Sequence, residues 1–279
     1  AAGGRVEEEG AGQEGVRVRH GLPFRLRREE DLHPLQVIAS EERQVVEVEG
    51  HELSLSNLGK VLWPAAGWTK GAAIDYYARV ADTLIPHLRG RPLTLVRFPN
   101  GVEGQRFYEK RAPKGAPEWV ETARVGFDRA GEIDFVVCNE RATLVWLAQL
   151  AALELHPSLS LARSMETPTA LVFDLDPGQP ATIRECCVVG LLVRDLFKSI
   201  GLESFAKCSG SKGLQVYVPL NRRATYETTK PFAQAVAQAL ERARPELVVS
   251  RMTKKLRVGK VLVDWSQNTR SKTTVAVYS

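Results

Sequence analysis

Two aspartates stand one residue apart in Phe173-Asp174-Leu175-Asp176-Pro177-Gly178, and a third, Asp264, follows the apolar run Val261-Leu262-Val263. Along an extended strand, residues two apart point to the same face, so Asp174 and Asp176 project together while Leu175 turns into the core. Carboxylates held that close repel each other unless a cation lies between them. Their hard oxygen donors select Mg²⁺ or Mn²⁺. A bare pair also reads as a strand end whose aspartates cap the Pro-Gly turn. Asp264 sharpens the question, because an acid beside buried residues needs a partner. A salt bridge with Arg257 or Lys260 is one explanation, and a third metal ligand is the other. Three such carboxylates are the set that two-metal phosphoryl transfer requires: one ion activates an attacking 3′-hydroxyl, and the other holds a triphosphate and its leaving oxygen.

A phosphate-binding element is the natural companion of such a set. Ser209-Gly210-Ser211-Lys212-Gly213 offers backbone N–H groups, hydroxyls and one ammonium in a short loop, and its glycines let it close around phosphates. The Walker A spacing is missing and a strand follows, so the loop is not of that type. Taken alone it also reads as a polar hairpin turn. Arg257, Gln267 and Asn268 flank Asp264 and are further donors, or an ordinary polar strand and turn. His156, in Glu154-Leu155-His156-Pro157, reads by itself as a cap at the C-terminal end of an apolar helix.

The elements that must position these groups alternate irregularly. Strands are expected at Val45 to Val48, Leu93 to Phe98, Asp134 to Cys138, Ala170 to Leu175, Ser204 to Cys208, Leu214 to Val218, Leu256 to Trp265 and Thr273 to Tyr278. Helices are expected at Lys70 to Leu88, ending at Gly90, at Arg141 to Leu155, at Ile183 to Ile200, closed by Gly201, and at Thr228 to Ala243, stopped before Pro245. Hairpin-like links predominate over regular strand–helix–strand units, so the class is α+β.

The whole chain is ordinary in composition: 279 residues, 44% hydrophobic and 25% charged, with a formal net charge of +5. Residues 1–44 hold seven Lys/Arg against nine Asp/Glu, whereas the rest holds 31 against 24. That basic excess permits nucleic-acid binding without requiring it. The four cysteines form no C-x-x-C pair, which argues against a zinc knuckle and fits a reducing compartment. No apolar run reaches the roughly 20 residues of a membrane span, and no signal-peptide core opens the chain. A cytoplasmic location and no membrane partner are expected. Residues 1–44 read as a disordered or loosely packed arm or linker, and 45–279 as the catalytic domain. The Ala-Ala-Gly-Gly start without Met suggests a piece of a longer protein.

Six motifs, in order, resemble one family. They are Leu55-Ser56-Asn57-Leu58-Gly59-Lys60-Val61-Leu62-Trp63-Pro64 with Thr69-Lys70-Gly71; Arg97-Phe98-Pro99-Asn100-Gly101 followed by Phe107-Tyr108-Glu109-Lys110; Ala151-Ala152-Leu153-Glu154-Leu155-His156; Val172 to Gly178; Ser209 to Leu214; and Val263-Asp264-Trp265-Ser266-Gln267-Asn268. Together they resemble the polymerase domain of bacterial DNA ligase D, of the archaeo-eukaryotic primase superfamily, over about residues 45 to 279. The resemblance implies an α+β primase–polymerase core, with a mixed or antiparallel sheet flanked by helices. It implies a template-directed nucleotidyl transferase that extends DNA ends and fills short gaps in non-homologous end joining, with a preference for ribonucleotides. Two Mn²⁺ or Mg²⁺ ions and NTP or dNTP substrates go with it. So do DNA partners bearing a 5′-phosphate at a gap or break, Ku, a ligase domain, and a bacterial nucleoid location.

By position, Asp174, Asp176 and Asp264 resemble the metal ligands. His156, Ser209, Lys212, Gly213, Arg257 and Gln267 resemble residues around the incoming nucleotide, and Asn57, Lys60 and Lys70 a pocket for the downstream 5′-phosphate. Phe107 and Tyr108 resemble an aromatic pair that stacks on the template. The match departs at Gln215, where the family commonly has His, at Tyr108 in place of a common Phe, and at the end, where the family continues with a phosphate-binding Arg. A metal-dependent nuclease or phosphodiesterase using the same carboxylates, and a non-catalytic 5′-phosphate end-binding module, are the alternatives. The loop Ser209–Gly213 favours the polymerase, since a nuclease needs no triphosphate cradle.

Overall fold

A computed structural model describes residues 43–127 and 131–279. Apart from its last two residues, the N-terminal arm expected at 1–44 lies outside the described residues. A hairpin of β1 (Gln44–Val48) and β2 (His51–Leu55) leads to a second, short hairpin of β3 (Val61–Trp63) and β4 (Trp68–Thr69). Next comes α1 (Lys70–Leu88), with the boundaries its apolar spacing predicts. Thr69 caps it by accepting the Ala72 N–H at 3.2 Å, and Gly90 turns the chain away with φ +68°.

The first sheet is built around β5 (Pro92–Arg97), with β6 (Phe107–Glu109), β7 (Thr122–Phe127), β8 (Gly131–Val137) and β9 (Ala152–Pro157). The strand β5 pairs with β9, with β8 through its first residues and with β6 through its last. Helices α1 and α2 (Arg141–Gln149) share an apolar core with it, in which Tyr77, Leu88, Leu93, Leu144, Leu147 and Leu155 are fully buried. Each such leucine contributes about 1.5–3 kcal/mol relative to exposure.

The helix expected at Arg141 to Leu155 is overturned. It stops at Gln149, Ala151 takes a left-handed φ of +55°, and the chain resumes as β9. The run is apolar throughout because helix and strand are both buried, and hydrophobicity alone does not divide them. His156 is therefore a strand residue opposite Thr94, not a helix cap.

The second sheet has the order β11-β12-β10-β14-β13, formed by β10 (Ala170–Pro177), β11 (Phe205–Cys208), β12 (Leu214–Pro219), β13 (Val248–Val249) and β14 (Val261–Asp264). All its pairings are antiparallel except β13 with β14. Helices α3 (Ile183–Ser199) and α4 (Tyr226–Ala243) pack on one face around Phe173, Leu175, Phe197, Val216 and Val263. Thr182 and Glu185 close a reciprocal capping box at the start of α3. Two expected strands are corrected. Lys254–Arg257 is a 3-10 turn, so β14 begins only at Val261. The stretch from Thr273 to Tyr278 forms no ladder and touches the first sheet through a Ser158–Thr273 bridge and the Ala276 N–H to Leu155 carbonyl bond. The α+β class holds.

Candidate active site

Strand alternation fixes the carboxylates. On β10, Leu171, Phe173 and Leu175 enter the helix-covered core, so Asp174 and Asp176 point to the opposite face. That face looks into a cleft of about 440 Å³, whose other wall comes from the first sheet and the β3 hairpin. Asp174, Asp176, His156, Ser209, Gln215 and Gln267 all line it. Asp264 lies opposite Asp174 across the β10–β14 ladder but does not line the cleft, and its Oδ1 accepts the Ser266 N–H at 2.7 Å.

Asp174 carries the electrostatic strain of this arrangement. Its Oδ1 is buried without a hydrogen-bond partner among the described residues. Burial first, then the neighbouring Asp176 and, more weakly, Asp264, push its carboxyl up to about 6, partly offset by a hydrogen bond with Gln215 and by Lys207. A buried carboxylate oxygen without a partner, next to the acid Asp176, has lone pairs that a hard cation could take. Among the described residues no three His, Cys, Asp or Glu are grouped so as to hold a metal ion by themselves. An open set of this kind suits Mg²⁺ or Mn²⁺, which take one or two carboxylates and complete their shells with water and substrate phosphates.

The loop Ser209–Gly213 joins β11 to β12 as a tight hairpin. Ser209 Oγ accepts the Gly213 N–H at 3.1 Å, and the Ser209 N–H donates to the Gly213 carbonyl at 3.0 Å. A Cβ on Gly213 would stand 2.4 Å from the Leu175 carbonyl oxygen. Glycine thus lets the hairpin lie directly against the aspartate strand. Lys212 does not line the cleft; it lines a neighbouring cavity with Pro177, Thr182 and Ile183 at the start of α3. Arg257 also stands apart, in the turn beside Gly178, where it donates to the Met252 carbonyl. Asn268 is not a free donor. Its buried amide accepts the Val172 N–H and donates to the Val172 and Trp265 carbonyls, fastening the turn after β14 to β10.

The sequence alone does not single out Trp63, Arg106, Glu154 or Lys207 as site residues. Trp63 and Arg106 line the cleft, and Glu154 bonds His156. Lys207 is brought onto the Asp174 rung through Gln215. Burial lowers its ammonium to about 8, opposed by the charge of Asp174. Alternation along β9 could have found Glu154, two residues before His156; the other three depend on long-range pairing.

The three residues matched to a 5′-phosphate pocket do come together. Asn57 adopts φ +55°, its carbonyl accepts the Lys60 N–H at 3.0 Å, and the Lys60 carbonyl accepts the Lys70 N–H at 2.8 Å. Lys70 opens α1, where backbone N–H groups favour an anion. Lys60 Nζ donates to Asn100 Oδ1 at 3.2 Å. Lys70 is buried, and burial together with the Lys60 charge lowers its ammonium to about 8. Phe107 and Tyr108 are exposed on β6, which an Arg97–Glu109 ion pair of 2.8 Å ties to β5.

Residues 69–279 match the model of a family described as LigD, primase-polymerase domain. This chain belongs to that family. The multifunctional non-homologous end joining protein LigD of Mycolicibacterium smegmatis is 44% identical over 227 residues, covering 81% of this chain and 30% of that protein. The bifunctional non-homologous end joining protein LigD of Bacillus subtilis is 33% identical, over 82% of this chain and 36% of its own length. The chain thus spans about a third of the length of these curated relatives. The solved polymerase domain of Mycobacterium tuberculosis ligase D in complex with DNA superposes with a TM-score of 0.76 at 43% identity, covering 80% of each chain. The family's description, a primase–polymerase domain, names nucleotidyl transfer as its class of chemistry. Among its described residues no helix is long and apolar enough to cross a membrane.

Proposed function

We propose that the chain adds nucleotides to DNA ends and fills short gaps during end joining, copying a template strand. The observation that carries this reading is the pairing of Asp174 and Asp176 with the Ser209–Gly213 hairpin in one cleft. Asp174, Asp176 and Asp264 would hold two divalent ions, Mn²⁺ or Mg²⁺. Bound there, the ions would supply Lewis acidity to the attacking 3′-hydroxyl and charge neutralisation to the triphosphate.

The chain's own groups would do the rest. The Gly210 N–H and the Ser211 hydroxyl, on the cleft side of the hairpin, bind and orient phosphate oxygens, which keeps the reacting phosphorus in line with the primer end. Lys212, on the far side of the same hairpin, neutralises charge at its outer edge, and Arg257, in the turn beside Gly178, adds a more distant positive charge. His156, Ser209 and Gln267 orient the sugar, and a polar contact to its 2′-hydroxyl favours ribonucleotides. Phe107 and Tyr108 stack on unpaired template bases, and Asn57, Lys60 and Lys70 hold the 5′-phosphate beyond the gap. Partners of this kind of reaction are gapped or broken DNA, Ku and a ligase domain.

A primer-extension assay tests the reading. On a 5′-phosphorylated single-nucleotide gap with Mn²⁺, the wild type adds one ribonucleotide in preference to a deoxynucleotide, and Asp176→Ala adds none while still binding the DNA. Degradation of the primer without nucleotides would favour a nuclease instead.

A further inference from the structure

Glu154 and His156 are two residues apart on β9 and line the cleft together with Asp174 and Asp176. His156 Nε2 lies 2.9 Å from Glu154 Oε2. An ionised carboxylate only accepts, so Nε2 carries the proton in this contact whatever the charge on the ring. Neutral His156 is therefore held as one tautomer, with its lone pair on Nδ1. That nitrogen has no hydrogen-bond partner among the described residues. The backbone beneath the pair is fixed, since His156 and Glu154 stand opposite Thr94 and Val96 in the β5–β9 ladder. The bond from His156, aided by the charges of His156 and Arg106 against the opposing effect of burial, keeps the Glu154 carboxyl below its ordinary value.

We propose that Glu154 is a positioning residue that sets the sugar specificity of the cleft. It turns the Nε2–H of His156 toward itself and leaves Nδ1 as an acceptor for the 2′-hydroxyl of an incoming ribonucleotide. This rests on reading the cleft as the nucleotide site. A deoxyribonucleotide lacks the donor that Nδ1 would accept, so a ring locked as this acceptor discriminates between the sugars. A ring free to rotate or to exchange tautomers loses that discrimination without losing the phosphate contacts.

Two measurements on the full chain test this. In ¹⁵N-histidine spectra of the wild type near pH 7.5, His156 shows a protonated Nε2 and an unprotonated Nδ1, whereas Glu154→Ala shows the averaged shifts of mixed tautomers. In single-nucleotide extension, Glu154→Ala lowers kcat/KM for the ribonucleotide about tenfold, the order of one lost hydrogen bond. The loss falls mainly on KM, and the deoxynucleotide value stays within about twofold. Glu154→Gln, whose amide oxygen still accepts from Nε2–H, keeps most of the selectivity. Mixed tautomers in the wild type would overturn the proposal whether or not the protein extends primers. So would an equal loss for both sugars in Glu154→Ala, or a wild type that extends primers with no ribonucleotide preference. Failure of the wild type to extend any primer would overturn the polymerase reading and the sugar-specificity role with it, while the spectra would still decide whether Glu154 fixes the His156 tautomer.

Discussion

Asp174 on β10 stands directly opposite Asp264 on β14, and its other neighbour in the sheet is Gln215 on β12, which in turn faces Lys207 on β11. Two acids, an amide and an amine thus form one rung across four strands. Like charges directly opposite each other weaken a sheet. The surrounding β10, β12 and β14 side chains, Phe173, Leu175, Val216 and Val263, are fully or almost fully buried and hold the rung in place. The fold tolerates a locally unfavourable charge arrangement at the point where a cation is expected.

Asp174→Asn should therefore stabilise the metal-free protein. The folded-state carboxyl is raised to about 6 from 3.8, so between about pH 4 and 6 the folded state binds more protons than the unfolded state. Stability then falls as pH rises through that window, and the cost is complete above it. Removing the charge should contribute on the order of 2 kcal/mol at pH 7.5, or a Tm rise of about 5 °C, shrinking toward zero at pH 4. Millimolar Mn²⁺ should raise the Tm of the wild type and not that of the variant. Thermal melts at pH 4 and 7.5 with EDTA or Mn²⁺ check this, and a variant that melts lower than wild type at pH 7.5 in EDTA would refute it. The same substitution should abolish nucleotide addition.

The two hairpin glycines should behave differently. At Gly213 an added Cβ meets the Leu175 carbonyl oxygen at 2.4 Å, a backbone atom that cannot swing aside, so the hairpin must leave the aspartate strand. Gly213→Ala should cost about 2–3 kcal/mol and remove most extension activity. At Gly210 the space is open and only the φ of +83° is costly, so Gly210→Ala should lose about 1 kcal/mol and keep activity within a few-fold. Denaturant melts and extension rates on the two variants check the pair; equal effects would contradict the packing argument.

The helices whose one face is apolar were legible in the sequence. Both α1 and α3 carry buried residues at helical spacing against a polar face, and glycines follow at Gly90 and Gly201. The change from α2 to β9 was not legible, because both are buried and the break rests on the backbone of Ala151. The same logic governs the site. Asp174 and Asp176 are legible as a pair, since alternation is local. That Lys207 shares the Asp174 rung depends on the register of β12 against two other strands, which no local pattern encodes. Lys212 reads as part of the phosphate loop, but the course of the hairpin turns it toward α3.

The exposed pair on β6 gives a prediction free of folding effects. Tyr108 is 61% exposed and Phe107 45%. Replacing both with Ala should leave the Tm within about 1 °C, because little apolar surface is buried there. Affinity for DNA with an unpaired template overhang should fall about tenfold or more, as stacking contributes roughly 1–3 kcal/mol per base. Fluorescence anisotropy with overhang and blunt duplexes checks it; an equal loss on both would mean that the rings do not meet unpaired bases.

Lys60 and Lys70 supply the last prediction. Burial first, and then the charge of Lys60, lower the Lys70 ammonium to about 8, as expected of a buried amine beside a second cation. A 5′-phosphate would bring the charge that both amines and the helix end favour. Gapped DNA with a 5′-phosphate should bind about tenfold or more tighter than the same DNA with a 5′-hydroxyl, at one fixed salt concentration. Lys70 loses its proton as pH rises through about 8 in the free protein. The phosphate preference should therefore be full at pH 7 and decline from pH 8 to 9.5, and the double Lys60→Ala, Lys70→Ala variant should lack it at every pH. Template binding through Phe107 and Tyr108 should persist in that variant. Anisotropy titrations of both DNAs at pH 7, 8 and 9.5 make the comparison, and equal affinity of the wild type for the two ends at pH 7 would show that the lysine pair does not read the phosphate.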